Sequence, residues 1–371
     1  MKYDVVIIGG GLAGLSLSID LVRRGLQVLV IEKGTYPRHK VCGEYVSMES
    51  HAYLHLICPE LHSLELPYIT KFHLSSTRRK DFKTHLDLGG FGVSRYVLEE
   101  MLWREATKIG VVFKLKSKAI KISQAGDVDF TIKTSSETFY ARLVCNSTGR
   151  KSNVESKGKD TQKLGTNYIG VKYHVKLKRD SGFVEIHNFP GGYCGINSLE
   201  EEKSCICYIV NANKLKASAS SIEEMENRFL FQNRFIKESF EASEFLYKNP
   251  LTISGINFNI KESVSHESFF LGDSAGRIAP VTGNGMSMAL RSASVLAQKI
   301  DLYFNNTITR SQLGTEYGDF WDKEFATRVR LSRYFQKLSE YPILSNFSIG
   351  VFNVLPKLAS PIIKSTHGKS F

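Results

Sequence analysis

The chain has 371 residues, 42% of them apolar, with 29 glycines, 9 prolines and 6 cysteines. That composition excludes a disordered chain and a small disulfide-stapled module, and leaves room for two or three domains or for one large domain carrying a smaller one. Lys and Arg outnumber Asp and Glu by 49 to 37, a formal charge of +12, which admits nucleic acid, an anionic membrane surface or an anionic substrate as a partner.

Residues 4–8 are a short apolar, β-branched run and predict a buried strand. Gly9, Gly11 and Gly14 follow at G-x-G-x-x-G spacing. Leu15, Ile19, Leu21 and Val22 then mark one face of a helix that Gly25 stops. Residues 27–31 read as a second strand, closed by Glu32. Residues 35–45 are polar and basic and read as a loop beside that turn; 49–64 read as a helix. Residues 66–88 alternate like strands, Gly89, Gly90, Phe91 and Gly92 read as a turn, and 94–110 read as a helix with Leu98, Met101, Leu102 and Ala106 on one face. Strands are expected over 111–116, 119–123, 128–134 and 141–146, then an exposed linker over 151–163.

Four strands of a separate antiparallel sheet are expected over 168–177, 182–189, 193–199 and 205–210. Residues 217–240 read as mostly helical, 251–258 as a short strand and 269–272 as a last buried strand. A helix is expected over 285–303, and a helix-rich region from 313 onward, broken by Pro342, Pro356 and Pro361. A core strand so far from the first one implies a discontinuous α/β domain over 1–65, 89–160 and 255–312. A sheet domain over 66–88 and 161–254 and a C-terminal helical region over 313–371 complete the division. No apolar run is long enough for a transmembrane helix, and Met1 and Lys2 lead straight into a strand pattern rather than a leader, so a cytoplasmic protein with reduced thiols is expected.

The order strand, glycine turn, helix, strand, acid gives the glycines a chemical meaning. Gly9 allows the tight turn, Gly11 lets backbone approach a pyrophosphate, and Gly14 lets helix and strand pack closely. Amides of the following helix, from Ala13 on, suit a phosphate, and Glu32 suits ribose hydroxyls. An acid at position 32 disfavours a 2′-phosphorylated ribose, but the motif alone does not separate NAD from FAD. The cysteines (Cys42, Cys58, Cys145, Cys194, Cys205, Cys207) form no ligand pattern. The histidines, including the isolated His174 and His266, are read as giving no catalytic metal site.

Taken together, Gly9 to Gly14 with Glu32, the loop Pro37-Arg38-His39-Lys40-Val41-Cys42-Gly43, and Leu271 to Gly276 continuing through Pro280 to Met286 resemble three motifs of the FAD-dependent aromatic hydroxylase superfamily. The loop is closest to the geranylgeranyl reductase-like branch. The resemblance spans roughly residues 1–310 and implies a Rossmann-type FAD-binding domain with an inserted antiparallel-sheet substrate domain and a helical C-terminus. It implies that Gly9, Gly11, Ala13 and Gly14 cradle the FAD pyrophosphate. Glu32 and Lys33 would lie at the adenosine end, Arg38, Arg95 and Gly149 beside the cofactor, and Asp273 at its ribityl and pyrophosphate region. Pro280, Gly283, Asn284, Gly285 and Met286 would shape the turn whose amides face the flavin N1–C2 carbonyl. A helix N-terminus there stabilises the negative charge of reduced flavin.

The chain departs from its relatives in two places. Ser147-Thr148-Gly149-Arg150 stands where many hydroxylases of the superfamily have an Asp-Gly pair linked to reduced-nicotinamide use. Trp103 and Trp321 do not form the halogenase Trp signature. Asn188-Phe189-Pro190-Gly191-Gly192-Tyr193 resembles a reductase-branch segment.

In that branch the cysteine matching Cys42 lies near the flavin, and Arg38 and Lys40 are positioned to lower its pKa. Arg38 and Lys40 also suit FAD phosphates or an anionic substrate head group. Glu44 is a candidate proton donor, and His187, Tyr193 and Asn197 are expected on a sheet facing the flavin. Two reactions follow: reduction of C=C bonds in a hydrophobic isoprenoid-like substrate by hydride from flavin N5, or oxygenation of an aromatic or polyketide-like substrate, less readily halogenation, through a flavin C4a-hydroperoxide. The electron donor is NAD(P)H or a protein. Residues 335–363 mix apolar and aromatic residues with Lys337, Lys357 and Lys364 and read as helices packed on the FAD domain, or as a lid or face touching an anionic membrane. The +12 charge is the only support for nucleic acid, which is not expected.

Overall fold

The computed structural model describes residues 2–78, 80–125, 129–150, 167–258, 262–265 and 268–371. The linker expected over 151–163 and His266 lie outside them. In chain order the first part runs β1 (Lys2–Ile8), α1 (Leu12–Arg23), β2 (Val28–Ile31), β3 (Tyr45–Ser47), α2 (His51–Ile57), β4 (Tyr68–Ser75), β5 (Asp81–Gly92), α3 (Arg95–Lys108), β6 (Val112–Lys114), β7 (Ala119–Ala125), β8 (Asp129–Thr134) and β9 (Thr138–Asn146). Then come β10 (Tyr168–Lys176), β11 (Phe183–Phe189), β12 (Gly192–Ser198), β13 (Lys203–Asn211), α4 (Ala212–Lys216), α5 (Ile222–Arg228), α6 (Arg234–Glu241), β14 (Glu244–Phe245), β15 (Leu251–Ile256) and β16 (Phe269–Phe270). Five helices end the chain: α7 (Gly285–Phe304), α8 (Arg310–Trp321), α9 (Thr327–Glu340), α10 (Pro342–Val354) and α11 (Ala359–Thr366).

The first sheet has the order β6-β2-β1-β9-β8-β7, with β16 parallel to the C-terminal end of β9. Its central strands are parallel and buried on both faces, which is why they read as near-continuous apolar runs. Val5, Ile7, Val30 and Leu143 pack with α1, α3 and α7, while Val6, Ile8, Leu29 and Val144 pack with Ile122, Phe130 and Ile132 of the β7–β8 hairpin.

The second sheet has the order β14-β10-β13-β12-β11-β4-β5-β3, and β15 also pairs with β10. One pair in it is parallel: β4 lies alongside β11. Strand alternation divides its residues. Val171, Tyr173, Ile206, Tyr208 and Cys194 face Met225 of α5, Leu230 of the turn after it and Ile236 of α6. Lys172, His174, Tyr193, Asn197, Cys205 and Cys207 take the opposite face, against the loop over residues 40–44.

The structure corrects three local expectations. Gly89 to Gly92 is not a turn but the end of β5. A side chain at Gly90 would strike the Tyr45 ring and the Val46 carbonyl, and one at Gly92 would strike the Ser198 carbonyl, so these glycines answer close backbone approach. The helix expected over 217–240 is split between α5, a 3₁₀ turn at Leu230–Gln232 and α6. Pro361 does not break a helix; it sits in the first turn of α11, where its missing N–H would have no intrahelical partner. Among the described residues, no helix is long and apolar enough to cross a membrane.

Candidate functional site

Four parallel strands of the first sheet deliver their carboxyl ends to one place, the usual ligand crevice of such sheets. β1 leads to Gly9, β2 to Glu32, β9 to Ser147 and β16 to Asp273. Ser147 fastens two of them: its N–H donates to the Ile8 carbonyl at 2.8 Å and its hydroxyl to the Gly9 carbonyl at 2.5 Å. Gly9 has φ +101°, and a Cβ there would lie 2.6 Å from the Ser147 oxygen. A Cβ on Gly14 would sit on the Gly9 carbonyl oxygen, so helix and strand touch as the motif requires. Gly11 differs: a Cβ there would meet only Lys40 Nζ, at 3.3 Å. Ala13 is buried in the first turn of α1, against Gly272.

Glu32 accepts from the Gly10 N–H at 2.7 Å and the Gly34 N–H at 2.8 Å, and pairs with Arg38 at 2.6 Å. Burial pushes its carboxyl up, but Arg38 and the two amides override that and hold it below its usual value. Arg38 also donates to the Gly10 carbonyl and to Glu99. Fully buried Glu99 collects three cations, Arg38, Lys40 and Arg95. Three cations against two carboxylates leave this corner with a positive surplus. Burial brings the Lys40 ammonium down to about 8, with Glu99 opposing. Lys33 is exposed and is not drawn into the cluster.

On the far side of the crevice, Asp273 pairs with Arg150 at 3.3 Å. Pro280–Thr282 makes a 3₁₀ turn, Gly283 takes a left-handed φ of +67°, and α7 starts at Gly285. Neither α1 nor α7 has a side-chain cap, so the first amides of both helices, Met286 among them, are left for another acceptor. Tyr45 Oη, Arg95 Nε and Asn284 Oδ1 are buried without a hydrogen-bond partner. Uncapped amides at two helix starts, an open cradle at Gly11, surplus positive charge and unpaired buried polar atoms fit a dinucleotide with a pyrophosphate and a polar ring edge. Gly149, with φ +73° and open space at its Cβ position, borders the same crevice after β9.

The loop from Arg38 to Glu44 lies between this crevice and the second sheet. Val41 packs on Leu199, Cys205 and Cys207. Cys205 Sγ donates to the Cys42 carbonyl at 3.4 Å, and the Glu44 N–H reaches Cys42 Sγ at 3.4 Å. Glu44 does not fit the role of proton donor. It is fully buried, with Lys172 Nζ at 2.5 Å, His174 Nε2 at 2.6 Å and the Arg95 N–H at 2.7 Å. Burial raises its pKa, but His174 and Lys172 outweigh burial and keep the carboxylate charged.

His187 is also misplaced by the sequence reading. It pairs in register with Cys194, on the face covered by α5 and α6, and stacks on Phe235. Ser75 and Glu185 hold its two ring nitrogens at 2.8 and 2.7 Å. Tyr193 and Asn197 do face the loop side. Tyr193 is buried in the electrostatic neighbourhood of Cys207, Arg150 and Cys42, and Asn197 donates to the Glu44 carbonyl at 3.5 Å.

Sequence reasoning missed Glu99, Lys172, His174 and Arg150 as partners in the site. The signal for Lys172 and His174 was their period-two alternation with Val171, Tyr173 and Val175, which marks a second face but not what covers it. It also passed over His51 and His55, one turn apart on α2, whose rings lie 4.1 Å apart, with His62 3.8 Å from His55. Among the described residues two groups have metal-ligand geometry, Glu44-His174-Cys205 and His73-Glu185-His187. In each the carboxylate is already paired with a cation, Lys172 or Arg179.

The sequence matches the FAD binding domain family over residues 2–317. It is 24% identical over 365 residues to conditioned medium factor receptor 1 of Dictyostelium discoideum, covering 89% of this chain and 69% of the relative. Identity to the ubiquinone hydroxylase UbiL of Rhodospirillum rubrum is 27% over 319 residues, covering 80% and 72%. Identity to the digeranylgeranylglycerophospholipid reductase of Sulfolobus acidocaldarius is 30% over 216 residues, covering 52% and 47%. The flavin-dependent brominase Bmp2 has the same fold, with a TM-score of 0.79 at 19% identity over 98% of this chain and 93% of that one.

Proposed function

The chain belongs to the FAD-binding domain family and is an FAD-dependent oxidoreductase, and from that premise we propose that it reduces carbon–carbon double bonds of a hydrophobic, isoprenoid-like substrate. The observation that carries this reading is the buried apolar cluster that adjoins the flavin motif. Tyr168, Ile186, Tyr193, Ile209 and Ile256 of the second sheet cluster with Val281 of the Pro280–Thr282 turn. The Sulfolobus relative, a reductase by name, supports the same reading.

Arg38, Lys40 and the α1 amides would hold the pyrophosphate, and the α7 amides the flavin ring edge. When bound and reduced, FAD supplies a hydride to one alkene carbon. The second carbon needs a proton, and Cys42 would give it. The Glu44 N–H bonds its sulfur, which orients the thiol. Glu44 is a positioning residue: with Lys172 and His174 it pins the loop that carries Cys42.

Reduced enzyme under argon is expected to add two hydrogens per double bond to a polyprenyl lipid, read by mass spectrometry. Cys42→Ser leaves flavin reduction intact and slows alkene turnover by about a hundredfold or more, the usual worth of a positioned proton donor. A second reading, hydroxylation, is favoured by the ubiquinone hydroxylase relative that covers most of this chain. Product carrying oxygen from labelled O₂, with none formed anaerobically, would overturn the reductase reading and establish the second.

A further inference from the structure

Helix α10 is built inside out. Its buried face carries Ser345, Asn346 and Ile349, and two of these three are polar. Ser345 Oγ accepts from Asn188 Nδ2 at 2.8 Å, and Asn346 Oδ1 accepts from the Ser76 hydroxyl. Its outer face carries Ile343, Phe347 and Val354, which are 76%, 72% and 78% exposed. An ordinary surface helix does the reverse.

The neighbouring segments extend the same surface. Tyr334, Leu338 and Tyr341 are exposed at i, i+4 and i+7 along the end of α9, and Leu344, Leu355, Leu358 and Ile362 are exposed beyond it. Of the 17 exposed large apolar side chains among the described residues, ten fall between Tyr334 and Ile362. An apolar surface of that kind on a water-soluble face marks an interaction site.

Charge identifies the occupant. From Arg330 to the end of the chain there are six basic residues (Arg330, Arg333, Lys337, Lys357, Lys364, Lys369) and one acid, Glu340. Glu340 is turned inward to the Tyr168 hydroxyl. Exposed lysines beside an apolar face with tyrosines at its margin match the interface of an anionic bilayer, where the apolar side chains enter the acyl boundary and the ammonium groups stay with the lipid phosphates. A second copy of this chain would bring the same positive rim and repel it.

We propose that the outward faces of α9, α10 and α11 dock this protein onto an anionic lipid surface. The contact is independent of the reaction catalysed, because vesicle binding is measured without turnover.

The test is co-sedimentation of the full-length FAD-loaded protein with phosphatidylcholine vesicles, with and without phosphatidylglycerol. The protein is expected to pellet with the anionic vesicles and far less with the neutral ones. The double substitution I343S/F347S weakens binding by about a hundredfold, since two side chains lose their apolar burial. K357Q/K364Q weakens it about twentyfold on anionic vesicles and leaves the neutral ones unaffected. Both variants change exposed side chains only, so flavin content stays that of the wild type. Protein that remains in the supernatant with anionic vesicles overturns the proposal. So does a dimer in sedimentation equilibrium that I343S/F347S converts to monomer, which would assign the surface to a second copy.

Discussion

Glu44 adopts a left-handed φ of 59°, a conformation that costs a non-glycine residue about 1–3 kcal/mol when the surroundings impose it. Its three buried partners, Lys172, His174 and the Arg95 amide, explain why a glycine does not stand there. Glu44→Gln leaves fully buried Lys172 without a counter-charge and is expected to cost about 3–5 kcal/mol in urea unfolding. Glu99 adds a pH dependence of known sign. Burial would raise its pKa, but Arg95, Lys40 and Arg38 hold it at about 2. A depressed acid contributes its full stability above its unfolded value of about 4.3 and loses it as pH falls through the folded one. Unfolding free energy should therefore fall by about 3 kcal/mol from this carboxylate between pH 5 and 2, and Glu99→Gln should flatten that part of the curve. Lys40 runs the other way. Its ammonium, at about 8 without ligand, is raised by a bound pyrophosphate, so FAD affinity is full below pH 8 and declines above it. Lys40→Met should give a weaker and pH-independent affinity in flavin fluorescence titrations, and a flat wild-type profile would reject the role.

The glycine turn between β1 and α1 separates two jobs that one motif combines. Gly14→Ala places a methyl on the Gly9 carbonyl and must push α1 off β1, so folding itself is expected to suffer. Gly11→Ala meets only the mobile end of Lys40, so the apoprotein should melt like wild type while FAD affinity drops about tenfold or more, because the methyl occupies the phosphate approach. Equal losses of apoprotein stability in both variants would contradict this division. These elements were legible in the sequence because the nucleotide crevice is local: strand, turn, helix and acid follow each other within about thirty residues. The partners of the Cys42 loop were not. Lys172 and His174 lie on β10, more than a hundred residues away, and strand alternation says that they share a face without saying which loop covers it. His187 failed for the same reason: its face is set by its register with Cys194, a pairing no local pattern carries. The glycines at 89–92 read as a turn because close packing between strands and a chain reversal both call for glycine.

At the scale of the whole molecule, the C-terminal helices fasten the two sheets together. Toward the flavin motif, Ser332 Oγ accepts from the Ala279 N–H at 2.9 Å, Asn284 donates to the Thr366 carbonyl, and the Phe371 N–H donates to the Glu49 carbonyl at 3.0 Å. Toward the second sheet, the Gly191 N–H donates to the Glu340 carbonyl at 3.0 Å, and Ser345 and Asn346 anchor α10. The two sets of contacts are separable by substitution. S345A/N346A leaves Asn188 Nδ2 buried without its partner and the Ser76 hydroxyl with only the Lys80 carbonyl at 3.4 Å, a cost of about 1–3 kcal/mol, and falls entirely on the second-sheet side. The variant is expected to become sensitive to limited proteolysis in α9 and α10 and to show a raised KM for a hydrophobic substrate, since α9 and α10 roof the sheet bearing the buried apolar cluster. Its flavin content and visible spectrum should match wild type, because the Ser332 and Thr366 contacts persist. Loss of flavin in step with proteolytic sensitivity would show instead that the clamp acts as one unit, with no independent hold on the cofactor crevice.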